Sequence, residues 1–157
     1  MSTRFTQRGT PMAESHSLRL VQSATAVQEQ ITRHVAETLK ARGYQDISPS
    51  LLGFLGALDC GTNYGSEIAR RLNVSRQMVA KTVKELVRLG YLEQADGPGK
   101  QKQILFTGAG EQLMSDVRQL LVEMDALLSQ QIGKQTLERA VSLMESIQQS
   151  SDLTSDW

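Results

Sequence analysis

Basic side chains are concentrated in the middle of this 157-residue chain, although its formal net charge is zero. Residues 64–107 carry eight lysines and arginines and four acidic residues, a net charge of +4, whereas residues 1–63 carry +1 and residues 108–157 carry −5. Phosphate binding requires a local positive face, because salt screens an exposed charge beyond roughly 10 Å. The middle segment is therefore the candidate surface for binding a polyanion.

The apolar spacing of this segment predicts two helices joined by a tight turn. The first runs from about Gly65 to Leu72, and the second from about Arg76 to Leu89. Ser75 is positioned as the N-cap of the second helix. The residues of that helix expected to be buried are Val79, Val83, Leu86 and Val87. Lysines, arginines and a glutamine then fall on its opposite side.

A β-hairpin with a basic tip is predicted after the second helix. Residues 91–93 begin one strand, residues 96–100 form a turn rich in glycine, and residues 103–106 form the returning strand. With the helices around it, the hairpin defines a mainly α chain with a small β-hairpin wing, an α+β winged helix-turn-helix. Lys100 and Lys102 lie on this hairpin, where they could reach a flanking minor groove or the DNA backbone.

The predicted function of this arrangement is to bind double-stranded DNA. A helix fits the major groove, and its first turns bring side chains against base edges. Gln77 has the donor and acceptor geometry for adenine, and Arg76 or Lys81 that for guanine. Ser75 and the N–H groups at the helix start can receive a phosphate. The residues predicted to contact DNA are Arg70, Ser75, Arg76, Gln77, Ala80, Lys81, Lys84, Lys100 and Lys102.

A long first helix, from about Ser17 to Arg42, is predicted before this segment. Its apolar residues alternate at spacings of four and three, a narrow stripe of the kind that packs on a partner helix. Ser48 and Pro49 then start an apolar helix that is expected to be buried in the core. After the hairpin, Thr107 can cap a long amphipathic helix, and a last helix covers about residues 134–150.

The sequence resembles the MarR family of transcriptional regulators. The similarity lies in GSEIARRLNVS at residues 65–75, in residues 79–92 ending KELVRLGYL, in Thr107 and Gly110 after the wing, and in Ile47-Ser48-Pro49. With the flanking helices, the resemblance covers roughly residues 17–150. It implies a homodimer joined by the first and last two helices, with each winged domain on one half of a pseudo-palindrome. It also implies regulation, in many members, by a small ligand or by cysteine oxidation.

The wing departs from the family pattern at two positions. Where the family usually carries aspartate and, two residues later, an arginine that enters the minor groove, this sequence has Pro98 and Lys100. Lysine is more strongly hydrated than arginine and lacks its planar fork. We therefore expect Lys100 and Lys102 to contact phosphates rather than to read the minor groove.

Together these patterns predict five functional segments. They are a flexible N-terminal tail (1–15), an N-terminal dimerisation helix (16–47), the winged DNA-binding domain (48–107), C-terminal dimerisation helices (108–150) and a C-terminal tail (151–157). The predicted function is a transcriptional repressor that binds its operator as a homodimer and responds to a small-molecule effector. The alternative is a winged-helix interaction module that docks an acidic partner.

Several other classes of protein are not predicted. The chain contains no apolar run long enough to span a membrane, and its first residues do not resemble a signal peptide. Cys60 is the single cysteine, which fits the cytoplasm, and a buried structural role is favoured over a redox sensor. The methionines are expected mostly to fill core space. Neither His16 nor His34 has partners at metal-ligand spacing, so no metal, no cofactor and no enzymatic activity are expected.

Overall fold

The computed structural model of the chain describes residues 8–9 and 13–150. The predicted C-terminal tail and most of the predicted N-terminal tail lie outside these residues. The described helices are α1 (His16–Ala41), α2 (Pro49–Gly56), α3 (Gly65–Leu72), α4 (Arg76–Arg88), α5 (Gly108–Ile132) and α6 (Lys134–Gln149). The strands are β1 (Asn63–Tyr64), β2 (Leu92–Asp96) and β3 (Lys102–Phe106). The fold is thus mainly α with a small antiparallel sheet, as predicted.

The chain divides into two compact units, residues 1–58 and 59–157. The division comes after Leu58, so the helix predicted to open the winged domain, α2, belongs to the first unit and contacts α1 there. The two units are defined by contacts within the chain, whereas the predicted segments are defined by function. The predicted segments therefore remain a prediction.

The first unit is built from capped helices. The Ser15 hydroxyl accepts the Leu18 N–H at 3.0 Å and starts α1, and the Ser48 hydroxyl accepts the Leu51 N–H at 3.2 Å and starts α2. Gly43, with a positive φ of 100°, follows α1 and allows the chain to turn away.

Burial along α1 is uneven. Val35, Ala36 and Leu39, near its C-terminal end, are buried, whereas Leu20 and Val27 of the same predicted stripe are exposed. Within α2, Leu52, Phe54 and Leu55 are buried, as expected for a core helix. The apolar stripe of α1 is therefore buried at its C-terminal end and exposed at Leu20 and Val27.

The sheet of the second unit contains a strand that the sequence did not predict. Its order is β1-β3-β2, with β1 and β2 both antiparallel to β3. No strand was predicted before the winged segment (residues 64–107), yet Asn63 pairs with Ile104. The Asn63 side chain is buried: its Oδ1 accepts the Asp59 N–H at 2.8 Å and its Nδ2 donates to the Asp59 carbonyl at 2.9 Å. A polar side chain therefore holds the loop that leads into the winged segment.

Close packing joins the end of the winged segment to α5. The Thr107 hydroxyl donates to the Gly90 carbonyl and accepts the Gly110 N–H at 3.1 Å, which caps α5 as predicted. Gly110 is buried, and a Cβ atom there would overlap the Tyr91 carbonyl oxygen. The threonine and glycine that resemble the family motif therefore have a packing role: one ties the helix start to the wing, and the other lets the two backbones approach.

Three expectations about burial are wrong. Cys60 is exposed, because it lies in the loop after α2 rather than within that helix. Val87 is 38% exposed, because the buried face of α4 is centred on Val79, Val83 and Leu86, and Val87 lies farther around the helix. Of the methionines, Met124 is buried as expected, but Met78 and Met144 are exposed.

Candidate nucleic-acid interface

The junction between α3 and α4 is short, and hydrogen bonds hold both of its ends. Asn73 ends α3 in the left-handed conformation, with φ 52°, and the Val74 N–H donates to the Ala69 carbonyl at 3.0 Å. The Ser75 hydroxyl then accepts the Met78 N–H at 3.1 Å and starts α4, as predicted. Asparagine tolerates this backbone conformation better than most residues. The two helices are therefore held at a defined angle by a turn of three residues.

The two sides of α4 have different chemistry. Val79, Val83 and Leu86 are buried, while Gln77, Lys81 and Lys84 are exposed on the other side. The buried stripe fixes the rotation of the helix about its axis, so the polar residues face solvent. All nine residues predicted to contact DNA belong to the second unit, and all nine are exposed; they are Arg70, Ser75, Arg76, Gln77, Ala80, Lys81, Lys84, Lys100 and Lys102.

Two open cavities bring some of these residues together. A cavity of about 330 Å³ lies between α4 and the sheet, and Arg76, Ala80 and Lys102 line it above the apolar side chains of Val79 and Ile104. Arg76 of α4 and Lys102 of β3 therefore present cations to one cavity.

A second, more polar cavity of about 590 Å³ lies at the junction of α3 and α4. Arg70 and Arg76 line it together with Ser66 and Asn73. Arg76 borders both cavities, so it links the short helix to the wing. The other predicted residues line neither cavity; they are Ser75, Gln77, Lys81, Lys84 and Lys100.

Ion pairs neutralise two of the eight cations in residues 64–107. Arg71 donates to the Asp59 carboxylate at 3.0 Å, and Arg88 donates to both carboxylate oxygens of Glu85, at 2.6 and 3.0 Å. The hydrogen bonds from Arg88 lower the pKa of the Glu85 carboxyl below its usual value.

Among the described residues, no carboxylate pairs with the remaining six cations. They are Arg70, Arg76, Lys81, Lys84, Lys100 and Lys102, all of them predicted contacts. The cations singled out from the sequence are therefore the ones whose charge is available to a ligand.

The turn of the hairpin is compact and its basic residue is exposed. The Gly97 N–H donates to the Gln101 carbonyl at 3.1 Å, and a Cβ atom on Gly97 would lie 2.8 Å from that same oxygen. Gly99 has a positive φ of 74°. Pro98 and Lys100, which occupy the positions of the family's usual pair, are exposed on this turn. Lys102 lies at the start of β3, opposite Asp96.

Other kinds of site find no support in the described part of the chain. Residues 8–9 and 13–150 contain no group of three or more histidine, cysteine, aspartate or glutamate side chains that could hold a metal ion. Over the same residues, no helix has the length and apolar character needed to cross a bilayer.

The sequence interpretation missed one residue of this surface. Met78, in the first turn of α4, is 56% exposed beside Gln77, whereas the methionines were expected to fill the core. Helical spacing places Met78 between the buried stripe and the cationic face. Burial was nevertheless expected, because the side chain is apolar. The structure therefore places an exposed apolar side chain, Met78, at the edge of the cationic face.

A helix, a tight turn, a second helix and an antiparallel hairpin define this part of the molecule as a winged helix-turn-helix. Neither the protein-family models nor the curated protein sequences compared with the chain match it. Its fold, in contrast, is similar to that of 140 solved chains.

Three of these structures show the likeness. MepR, a transcription regulator of the Staphylococcus aureus multidrug efflux pump MepA, is 18% identical, with a TM-score of 0.62 over 88% of this chain and 98% of that one. Apo MarR from E. coli is 15% identical, with a TM-score of 0.70 over 87% and 98%. PcaV from Streptomyces coelicolor, solved with its natural ligand, is 14% identical, with a TM-score of 0.62 over 89% and 99%. The chain has the fold of MarR family transcription regulators, and at the level of the fold the predicted resemblance is confirmed.

Proposed function

We propose that this protein is a MarR-like transcriptional regulator that binds double-stranded DNA through the exposed face of α4. The observation that carries the proposal is the coincidence of three features on one helix. Ser75 caps it after a three-residue turn, an apolar stripe fixes its rotation, and cations without carboxylate partners among the described residues face solvent. A helix presented in this way fits the major groove, and free cations supply the phosphate contacts that carry much of the affinity.

Each part of the surface has a separate role in this proposal. Gln77 and Arg76 or Lys81 contact base edges, and Ser75 with the first N–H groups of α4 receives a phosphate. Lys84 and Arg70 contact the backbone on either side of the groove. Ala80 allows close approach because its side chain is small. The remaining cations, Lys100 and Lys102, contact phosphates from the wing rather than the minor groove, since lysine is the weaker minor-groove reader.

We propose that the functional form is a homodimer on a pseudo-palindromic operator. No residue of α6 is buried, and Val141, Leu143, Met144 and Ile147 are exposed along it. The contacts that α6 makes with α5 leave these apolar side chains exposed, and covering them with a second copy of the chain would stabilise the helix. The N-terminal part of the α1 stripe, in which Leu20 and Val27 are exposed, offers a second apolar surface for the same purpose.

Repression, an effector and cytoplasmic location complete the proposal. A dimer bound to its operator occludes that DNA from other proteins, which makes repression the direct consequence of binding. The PcaV structure contains a natural ligand, and we propose that this chain also releases DNA in response to a small molecule. A DNA-binding protein with one exposed cysteine suits the reducing cytoplasm.

Replacing both Lys81 and Lys84 by alanine tests the proposal. We expect weaker binding to a fluorescent mixed-sequence duplex, with the slope of log affinity against log salt reduced by about 0.9 for each phosphate that the protein no longer neutralises. Lys40→Ala with Lys134→Ala is the matched control, because it removes the same charge from exposed positions outside the winged segment. If both double variants bind and respond to salt as the unmodified protein does, α4 is not the DNA-contacting surface. If the unmodified protein shows no salt-dependent binding, an acidic protein partner becomes the better explanation of the face.

A further inference from the structure

An exposed apolar side chain lies in the first turn of α4, between the buried stripe and the cationic face of the helix. Between residues 59 and 107, all of which the structure describes, two large apolar side chains are exposed: Met78 at 56% and Val87 at 38%. Val87 belongs to the last turn of α4, whereas Met78 belongs to the first. Core packing therefore does not explain the methionine at this position, and its side chain is accessible to a ligand of the α4 face.

The backbone of Met78 is held firmly. Its N–H donates to the Ser75 hydroxyl at 3.1 Å, and its carbonyl accepts the Thr82 hydroxyl at 3.0 Å. The next residue, Val79, is buried and fixes the rotation of the first turn. The thioether therefore leaves the helix at a defined point, and its exposure does not arise from a loose helix end.

Its neighbours on the helix are the residues proposed to read bases. Gln77 precedes it directly, and Lys81 follows three residues later, a spacing at which side chains on a helix are neighbours. The first turns of a recognition helix are the ones that approach base edges in the major groove. Met78 is thus exposed in these first turns, directly after Gln77 and next to Lys81 on the helix surface.

The chemistry of the side chain selects one feature of DNA. In the major groove, A·T and T·A pairs differ from the others by the C5 methyl group of thymine, which is recognised by apolar contact. Methionine is unbranched, flexible and polarisable, and it adapts to small apolar surfaces. Glutamine and lysine can sense donors and acceptors on the bases, but a methyl group offers them neither.

We propose that Met78 is a specificity-determining residue that recognises thymine by contact with its C5 methyl group. The inference rests on the proposed function, since it requires α4 to lie in the major groove. It deepens that function by assigning one base of the operator half-site to one side chain. It also separates recognition in the first turn into a polar part, carried by Gln77, and an apolar part, carried by Met78.

Removal of single methyl groups from the DNA tests the proposal. Duplexes that bind the full-length chain are first selected from a random-sequence pool. Each thymine of the selected site is then replaced by deoxyuridine, which keeps the base pairing and lacks only the C5 methyl group. We expect at least one thymine in each half-site at which this replacement weakens binding by about fourfold, the factor that burial of one methyl group provides. The Met78→Ala protein should bind the thymine and deoxyuridine duplexes equally well.

Two further variants control this experiment. Met78→Leu retains an apolar side chain and should retain the deoxyuridine effect. Val87→Ala removes the other exposed apolar side chain of α4 and should also retain it. Thermal unfolding of Met78→Ala should match that of the unmodified protein, because alanine favours the helix and the core packing is unchanged.

The outcomes separate the inference from the proposed function. Binding that is insensitive to deoxyuridine at every thymine, or a deoxyuridine effect that persists unchanged in Met78→Ala, overturns the role of Met78 and leaves DNA binding intact. Failure to select any duplex overturns both.

Discussion

Two helices of similar length in the second unit, α4 and α6, expose opposite kinds of side chain to solvent. The thirteen residues of α4 bury Val79, Val83 and Leu86 and expose cations. The sixteen residues of α6 bury nothing and expose large apolar side chains, Leu143 by 62%. The apolar stripe of α4 is buried within its own unit, and in the proposed function its exposed cations meet a polyanion. The apolar side chains of α6 are exposed, and in the proposed function a second copy of the chain covers them.

The two parts of the proposed function, DNA binding and assembly of the homodimer, therefore depend on different forces. DNA binding by α4 is electrostatic and weakens with salt. Assembly through α6 is hydrophobic, and high salt does not oppose it. A single salt titration should therefore separate the protein from DNA while leaving the proposed homodimer assembled.

The largest effect is expected from charging the apolar stripe of α6. Val141→Asp with Met144→Asp should raise the dimer dissociation constant by at least about a thousandfold, because four apolar side chains per homodimer are replaced by carboxylates. Analytical ultracentrifugation at several protein concentrations measures the change.

Ser142→Asp with Ser146→Asp is the matched control. It adds the same charge on the other side of α6, where both serines are exposed, and should leave the assembly intact. A chain that sediments as a monomer before any substitution would remove the homodimer from the proposal. Equal dissociation of both double variants would mean that charge alone, rather than the apolar stripe, governs assembly.

The second-largest effect is expected from adding a methyl group at Gly110, where α5 packs closely on the end of the winged segment. Gly110→Ala should destabilise the protein by about 1–3 kcal/mol, because a Cβ atom would overlap the Tyr91 carbonyl oxygen and the backbone must shift. Gly108→Ala lies two residues earlier in the same helix, where an added Cβ meets nothing within 4 Å. It should leave stability unchanged or increase it slightly. Urea unfolding of both variants makes the comparison, and equal stability would show that the close approach of α5 to Tyr91 is not needed.

Much of the fold could be predicted because local signals agreed with it. The bounds of α3 were predicted residue for residue, and the caps at Ser48, Ser75 and Thr107 lie where short polar side chains precede apolar periodicity. These features depend on neighbouring residues alone. Strand β1 was missed because it has two residues, and its pairing with β3 joins positions about forty residues apart.

Prediction of the candidate site was limited in the same way, because the local sequence does not show contacts between distant residues. All nine residues chosen as DNA contacts are exposed, since charge, capping and helical spacing are properties of the local sequence, and their contact with DNA stays a prediction. Spacing does not reveal which cations are neutralised, so the pairs Arg71–Asp59 and Arg88–Glu85 appeared only in the structure. Met78 was misjudged because side-chain type was given more weight than position on the helix.

The smallest effect separates the structural and electrostatic roles of the α4 cap. Ser75→Ala should cost about 1 kcal/mol of stability, because the Met78 N–H loses its side-chain acceptor. Ser75→Asp retains an acceptor at the cap and should restore that stability. Its negative charge, however, lies where a phosphate is proposed to bind, so its duplex affinity should fall below that of Ser75→Ala. Urea unfolding and duplex binding, measured on the same preparations, give the two readouts. If Ser75→Asp recovers stability and binds DNA as well as the unmodified protein does, no phosphate lies at the start of α4. The helix would then contact DNA through the later residues Lys81 and Lys84.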